Sequence, residues 1–214
     1  MKFVDSVKIH IRSGNGGSGC SSFRREKYVP QGGPDGGDGG KGGDVFFVGD
    51  ISKNTLLDLS FKQHQYAENG MSGSGSDRHG RKGKDLRIHV PLGTIVKDNE
   101  TDEIFIEVIE KKDYLLFNGG RGGRGNSRFK NSTNRAPEYH QPGEPGHDIW
   151  VRLELKLLAD VGLVGFPNAG KSTLISSVSQ ARPKISDYPF TTLVPQLGVV
   201  KINDIDPFVI ADIP

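Results

Sequence analysis

The sequence is short of what most extracellular and membrane proteins need. It has one cysteine, Cys20, so no disulfide can form within the chain. Together with an N-terminus, Met1-Lys2-Phe3-Val4-Asp5, that leads into no apolar segment, this predicts a cytoplasmic protein. No run approaches the ~18 apolar residues of a membrane-crossing helix. There is one Trp and there are two Met, and hydrophobic residues make up only 34% of the chain. Charge of one sign is missing too: 28 basic residues against 26 acidic give +2. A disordered chain of such low apolar content normally carries a large net charge, so disorder is a poor reading of the whole. The six His show no ligand spacing for a transition metal.

What the chain has instead is glycine, 30 of 214 residues. Only Gly162, Gly165, Gly170 and Gly198 lie beyond residue 158, which leaves 26 before it. We therefore read two units, residues 1–158 and 159–214. The second carries four basic and five acidic residues, so the first holds the positive excess, +3.

In the first unit apolar residues alternate with polar ones. Val7, Ile9 and Ile11 do so, as do Leu86, Ile88 and Val90, and Ile104, Ile106 and Val108. The longest example is Ile149-Trp150-Val151-Arg152-Leu153-Glu154-Leu155-Lys156-Leu157. A period of two predicts half-buried strands. Val45–Val48 and Tyr114–Phe117 predict shorter, more buried ones, and no long helix is expected.

Between these strands glycine recurs on a period of three, in Gly36-Gly37-Asp38-Gly39-Gly40-Lys41-Gly42-Gly43-Asp44 and in Gly119-Gly120-Arg121-Gly122-Gly123-Arg124-Gly125. Three residues per turn is the repeat of the left-handed polyproline II helix, which makes no internal hydrogen bonds. Glycine on two of its three faces lets bare backbones dock on one another. The predicted fold is thus mainly β, with a packed bundle of glycine-rich left-handed helices. A flexible linker is the bland alternative; so is a disordered glycine-rich RNA binder. Gly14-Asn15-Gly16-Gly17-Ser18-Gly19 fits a dinucleotide fingerprint, but Pro30 leaves no room for the helix that fingerprint needs.

After residue 158 the pattern changes. Val161–Val164 reads as a strand covered on both faces, Lys171–Ala181 as a helix with Leu174, Ile175 and Val178 on one face, and Leu197–Ile202 and Phe208–Ile210 as further strands. This is the opening of an α/β domain, incomplete at Pro214. Between strand and helix lies Gly165-Phe166-Pro167-Asn168-Ala169-Gly170-Lys171-Ser172, a G-x-x-x-x-G-K-S phosphate loop. Its amides form an anion nest at a helix N-terminus. Lys171 spans the β- and γ-phosphates, and the Ser172 hydroxyl is suited to Mg²⁺. Thr191 or Thr192, about 20 residues on, offers a hydroxyl that closes over the metal when the γ-phosphate is present. Asp212, at the end of a strand, offers the carboxylate on the metal side; an Asp there is also a common turn residue.

With these residues in view, the chain resembles the Obg family of bacterial GTPases. The resemblance is carried by Phe23-Arg24-Arg25-Glu26-Lys27-Tyr28-Val29-Pro30, by the two triplet-glycine segments with Asn126, by Ala159–Pro167, and by Phe190-Thr191-Thr192-Leu193-Val194-Pro195. It implies GTP hydrolysis, a GTP/GDP switch cycle, and a monomer that binds the large ribosomal subunit and its rRNA during assembly. It implies Ser172 and Thr192 as Mg²⁺ ligands, with Asp212 acting through water. Phe190, Thr191, Thr192, Leu193, Val194, Asp212, Ile213 and Pro214 would contact nucleotide. Asn168 stands where potassium-activated relatives carry an Asn. Arg78, Arg81, Lys82, Lys84 and Arg87, in a Gly/Ser-rich stretch, are candidates to face RNA phosphates. The family pattern continues past Pro214 with a Gly and a guanine-reading segment. This chain by itself is therefore expected to be marginally folded over 159–214, to turn over negligible GTP, and to act at most as a docking module.

Overall fold

The computed structural model describes residues 4–25, 32–156, 161–166, 170–178, 184–185, 196–200 and 208–213. It is mostly strands with few helices. In chain order the strands are β1 (Ser6–Arg12), β2 (Val45–Gly49), β3 (His64–Tyr66), β4 (Leu86–Val90), β5 (Thr94–Asp98), β6 (Ile104–Val108), β7 (Asp113–Phe117), β8 (Asp148–Leu155), β9 (Val161–Val164), β10 (Lys184–Ile185), β11 (Gln196–Val200) and β12 (Phe208–Ile213). The helices are α1 (Leu57–Phe61) and α2 (Lys171–Val178), with a 3-10 turn at Asn126–Phe129. No helix among the described residues is long and apolar enough to cross a membrane.

β3, β1, β8, β5 and β6 form one sheet, and β4, β2 and β7 a second. The longest pairing is antiparallel, β1 on β8 from Ser6↔Glu154 to Arg12↔Asp148. Its register puts Val7 opposite Leu153 and Ile9 opposite Val151, so the apolar sets of both strands share one face. Val7, Ile9, Ile11, Val151 and Leu153 join Val45 and Phe47 of β2, Ile88 and Val90 of β4, and Leu56 and Leu59 around α1 in a single core. Burying each such side chain stabilises by about 1.5–3 kcal/mol.

The strands expected from alternation are all present. One strand expected to be more buried differs: β7 is half exposed, with Leu115 46% exposed, because one face of its sheet meets solvent. β3 and β5 carried no clear alternation. β5 is buried at Thr94, Ile95 and Val96 in succession, as a strand between two neighbours on a covered face can be.

The glycine-rich segments are neither helix nor strand by their internal bonding, yet they are tightly bonded to each other. Gly14, Gly17 and Cys20 donate their N–H groups to the carbonyls of Gly43, Gly40 and Gly37. Gly120, Gly123 and Asn126 donate to Gly14, Gly17 and Cys20, and Gly80, Gly83 and Leu86 donate to Asp38, Lys41 and Asp44. Every one of these ladders steps by three residues. A flexible linker or disordered segment would not show such a register.

Glycine is required here by space, not by backbone angle. Among the described glycines only Gly93 and Gly170 have positive φ. A Cβ on Gly39 would meet the Gly17 carbonyl oxygen inside 3.0 Å, and one on Gly122 would meet that of Gly39. The carbonyl of one segment thus occupies the side-chain position of the next, which brings Cα–H groups into contact with oxygen.

Polar side chains pin this bundle from within. Asn126 is fully buried; its Oδ1 accepts the Gly36 N–H at 2.8 Å, and its Nδ2 donates to the carbonyls of Ser22 and Pro137. Asp38 accepts the Gly125 N–H at 2.9 Å and the Arg128 Nε–H at 3.0 Å.

Candidate nucleotide-binding site

The remaining strands form their own sheet in the order β10-β11-β12-β9. β9 runs parallel to β12, with Leu163 opposite Asp212 and Val164 opposite Ile213. In a parallel sheet the carboxyl ends of the strands are where the connecting loops meet a ligand. The chain leaves β9 at that end, turns through Gly165, and enters α2 at Lys171.

Gly170 has φ +86°, a left-handed angle that a side chain resists, and among the described residues nothing lies within 4 Å of where its Cβ would be. Its constraint is thus the opposite of that in the bundle: backbone angle, not space. Its carbonyl accepts the Leu174 N–H at 2.9 Å, the first helical bond of α2. Lys171 folds back over the loop, and its Nζ donates to the Gly165 carbonyl at 2.5 Å. Ser172 lies in the first turn of α2, where its carbonyl accepts the Ser176 hydroxyl. The loop ends Gly165 and Gly170, with Lys171 and Ser172, are therefore brought together in strand–loop–helix context.

Pro167, Asn168 and Ala169 lie outside the described residues, as do Phe190, Thr191, Thr192, Leu193, Val194 and Pro214. The sheet register places the start of β11. Gln196, four residues after Thr192, is the Cα partner of Asp212. Asp212 and Ile213 are in turn aligned with the last two residues of β9. The backbone of Asp212 and the start of β11 thus lie at the same sheet end as the phosphate loop. Of the hydroxyl and carboxylate residues expected to hold Mg²⁺, Ser172 opens α2 beside the loop; its oxygen is a hard donor of the kind Mg²⁺ takes.

Two expectations for this unit need correction. β9 is not covered on both faces: Val161 is 41% and Val164 82% exposed, and Phe166 beyond it 86%. On α2 only Ile175 is buried, while Leu174 and Val178 are 50% and 40% exposed. Among the described residues a single short helix packs on this four-stranded sheet, too little to cover both its faces.

The five basic residues proposed to face RNA are not a free loop. Residues 78–86 lie in the bonded bundle, and Arg87 is in β4. Lys82 pairs with Asp85 and Asp44 at 3.0 and 3.4 Å, Arg87 with Asp113 at 3.1 Å, and Arg81 with Glu68 at 3.6 Å.

Comparison with known proteins decides the family. The family model described as GTP1/OBG matches residues 4–157. The chain belongs to the GTP1/OBG family. Residues 160–214 match a second model, 50S ribosome-binding GTPase. Proteins named GTPase Obg from Syntrophus aciditrophicus (strain SB) and Persephonella marina (strain DSM 14350 / EX-H1) are 61% and 59% identical to it over the whole chain. The chain spans 63% of the length of each. A third, from Syntrophotalea carbinolica, is 59% identical and is covered over 60% of its length. The GTP1/OBG match thus takes in both the strand core and the glycine bundle, and the GTPase match takes in the phosphate loop.

Proposed function

We propose that residues 1–158 are a ribosome-docking arm and residues 159–214 the start of a GTP-hydrolysing switch domain in a protein acting in large-subunit assembly. The observation that carries this reading is the loop between β9 and α2, with Gly170 at φ +86° and Lys171 folded onto Gly165. The guanine preference and the ribosomal partner rest on the names of the relatives and of the second family model. The triplet ladders support segments that are left-handed, polyproline II-type helices.

In this reading the amides of residues 168–172 bind the phosphates and Lys171 moves from the Gly165 carbonyl to the β- and γ-phosphate oxygens. Ser172 and Thr192 would hold Mg²⁺ directly and Asp212 through water, with K⁺ as a further ion beside Asn168. Bound there, Mg²⁺ neutralises charge that develops on the phosphates. Phe190 to Val194 would close over the nucleotide, and Ile213 and Pro214 would line its γ-phosphate side. Arg78, Arg81 and Lys84, all exposed, are the better placed of the five basic residues to reach rRNA.

Titrating GTP, GDP and ATP against this chain, and against one extended beyond Pro214, tests the reading. Binding of GTP and GDP by the extended chain, lost in Lys171→Ala, is expected. Binding unaffected by that substitution would overturn it. A second reading, favoured by the exposed Val164, Phe166 and Leu174, is that this chain alone docks without turning over GTP. It predicts that only the extended chain hydrolyses it.

A further inference from the structure

A recess of about 370 Å³ lies between the C-terminal end of α1 and strand β4, and none of its lining belongs to the phosphate loop. Its size falls in the lower part of the roughly 300–1,000 Å³ range of small-molecule sites. Its floor is apolar: Leu59 and Ile88, 8% and 3% exposed, belong to the core. Its rim carries Lys53, Lys62 and Arg87, with His89 beside them, against a single lining carboxylate, Asp58. Phe61, the last residue of α1, stands at this rim 80% exposed.

Two of the three permanent cations are paired with carboxylates. Lys53 pairs with Asp58 at 2.8 Å, and the Arg87 Nε with Asp113 at 3.1 Å. The Arg87 guanidinium also lies 5.6 Å over the Phe46 ring, and the His89 Nδ1 lies 3.6 Å from Asp50. Asp58 and Asp113 offset Lys53 and Arg87, so the charge left over at the recess is that of Lys62, which makes no ion pair among the described residues; that one cation, with the Arg87 guanidinium beside it, favours an anion. A flat apolar ring presented beside those cations favours a ligand that is both anionic and planar. Inorganic phosphate would use only the rim, and a hydrophobic ligand would use only Phe61 and the floor.

We propose that this recess binds a nucleotide, with its base stacked on Phe61 and its phosphate between Lys62 and Arg87. The nucleotide is either free or part of an RNA strand. The site shares no residue with the phosphate loop, so it stands or falls independently of GTP binding.

The test uses the full chain carrying Lys171→Ala, which removes phosphate-loop binding. Calorimetry at low salt measures adenosine monophosphate, adenosine, inorganic phosphate and a short single-stranded RNA. Adenosine monophosphate is expected to bind more tightly than adenosine or phosphate. Phe61→Ala should weaken it at least about fivefold, as loss of one base–aromatic stack does, and leave phosphate unchanged. Arg87→Gln should weaken both; should that variant lose its fold with the Asp113 pair, Lys62→Gln gives the same readout. RNA binding tighter than the mononucleotide, and lost in the same variants, identifies an RNA nucleotide as the ligand. RNA binding equal or weaker identifies a free nucleotide. Adenosine monophosphate no tighter than phosphate, or unmoved by Phe61→Ala and Arg87→Gln, overturns the proposal.

Discussion

The carboxylate of Asp44 accepts the backbone N–H of Gly119 at 2.7 Å, across 75 positions of sequence. The same oxygen takes Lys41 Nζ at 2.6 Å, and the other lies 3.4 Å from Lys82. Asp44 thus ties three glycine-rich segments together. Asp44→Ala would leave the Gly119 N–H buried and unpaired, which costs about 1–3 kcal/mol. Urea denaturation should show that loss with the slope unchanged.

The same residue sets a pH dependence. Burial pulls the Asp44 carboxyl upward, but the Lys41 hydrogen bond, the Gly119 N–H and the Lys41 and Lys82 charges outweigh it, so its pKa lies below the ordinary 3.8. For Asp38, burial is likewise outweighed, by the Gly125 N–H, Arg128 and His79. A carboxyl whose folded pKa is depressed gives stability that is full above its unfolded value and is lost as pH falls through the folded one. The bundle should therefore hold down to about pH 4 and weaken below it. In Asp44→Asn this acid sensitivity should shrink; an unchanged acid midpoint would remove Asp44 from the explanation.

Glycine substitutions should divide by position. Gly122→Ala puts a Cβ against the Gly39 carbonyl and should cost about 3 kcal/mol or more, since the whole ladder must shift. Gly33 meets only the Lys130 Nζ at 3.6 Å. Gly33→Ala should be neutral, or stabilising by about 0.4–1 kcal/mol through the unfolded chain. Paired melting curves read the difference directly.

At the phosphate loop the penalty is of another kind. Gly170→Ala meets no atom of the described residues, but it forces a side chain to φ +86° at a cost of about 1–2 kcal/mol. Its effect should appear as weakened nucleotide binding by the extended chain, with the melting of the glycine bundle unchanged.

Limited proteolysis should separate the two units. Residues 4–25 and 32–156 should resist cleavage despite long stretches with no helix or strand, because their amides are bonded across segments. Cleavage should begin in 157–214, where Val164, Phe166 and Leu174 stand exposed. Early cuts within 36–44 or 119–125 would contradict the bonded bundle.

Much of this was legible in the residues. Alternation marked β1, β4 and β8 because a strand with one buried face has to repeat every two residues. The spacing of Gly165, Gly170, Lys171 and Ser172 marked the phosphate loop because that geometry tolerates few other residues. β3 and β5 left no such trace, since a three-residue edge strand and a strand buried at successive positions have no period to read. The exposure of β9 and α2 was hidden as well: an apolar residue does not say whether a neighbour is there to cover it.

By itself, then, the sequence determined the strand core, the triplet glycine register and the phosphate loop, each of which leaves a local repeat or spacing. Only the tertiary structure decided which segments dock on which, and that Asp38, Asp44 and Asn126 are pins rather than surface polar residues. It also decided that Lys82 and Arg87 are tied to carboxylates, and that Phe61 stands over a recess lined with cations. Those outcomes depend on contacts between residues tens of positions apart, and the chain order of a side chain carries no record of its distant partner.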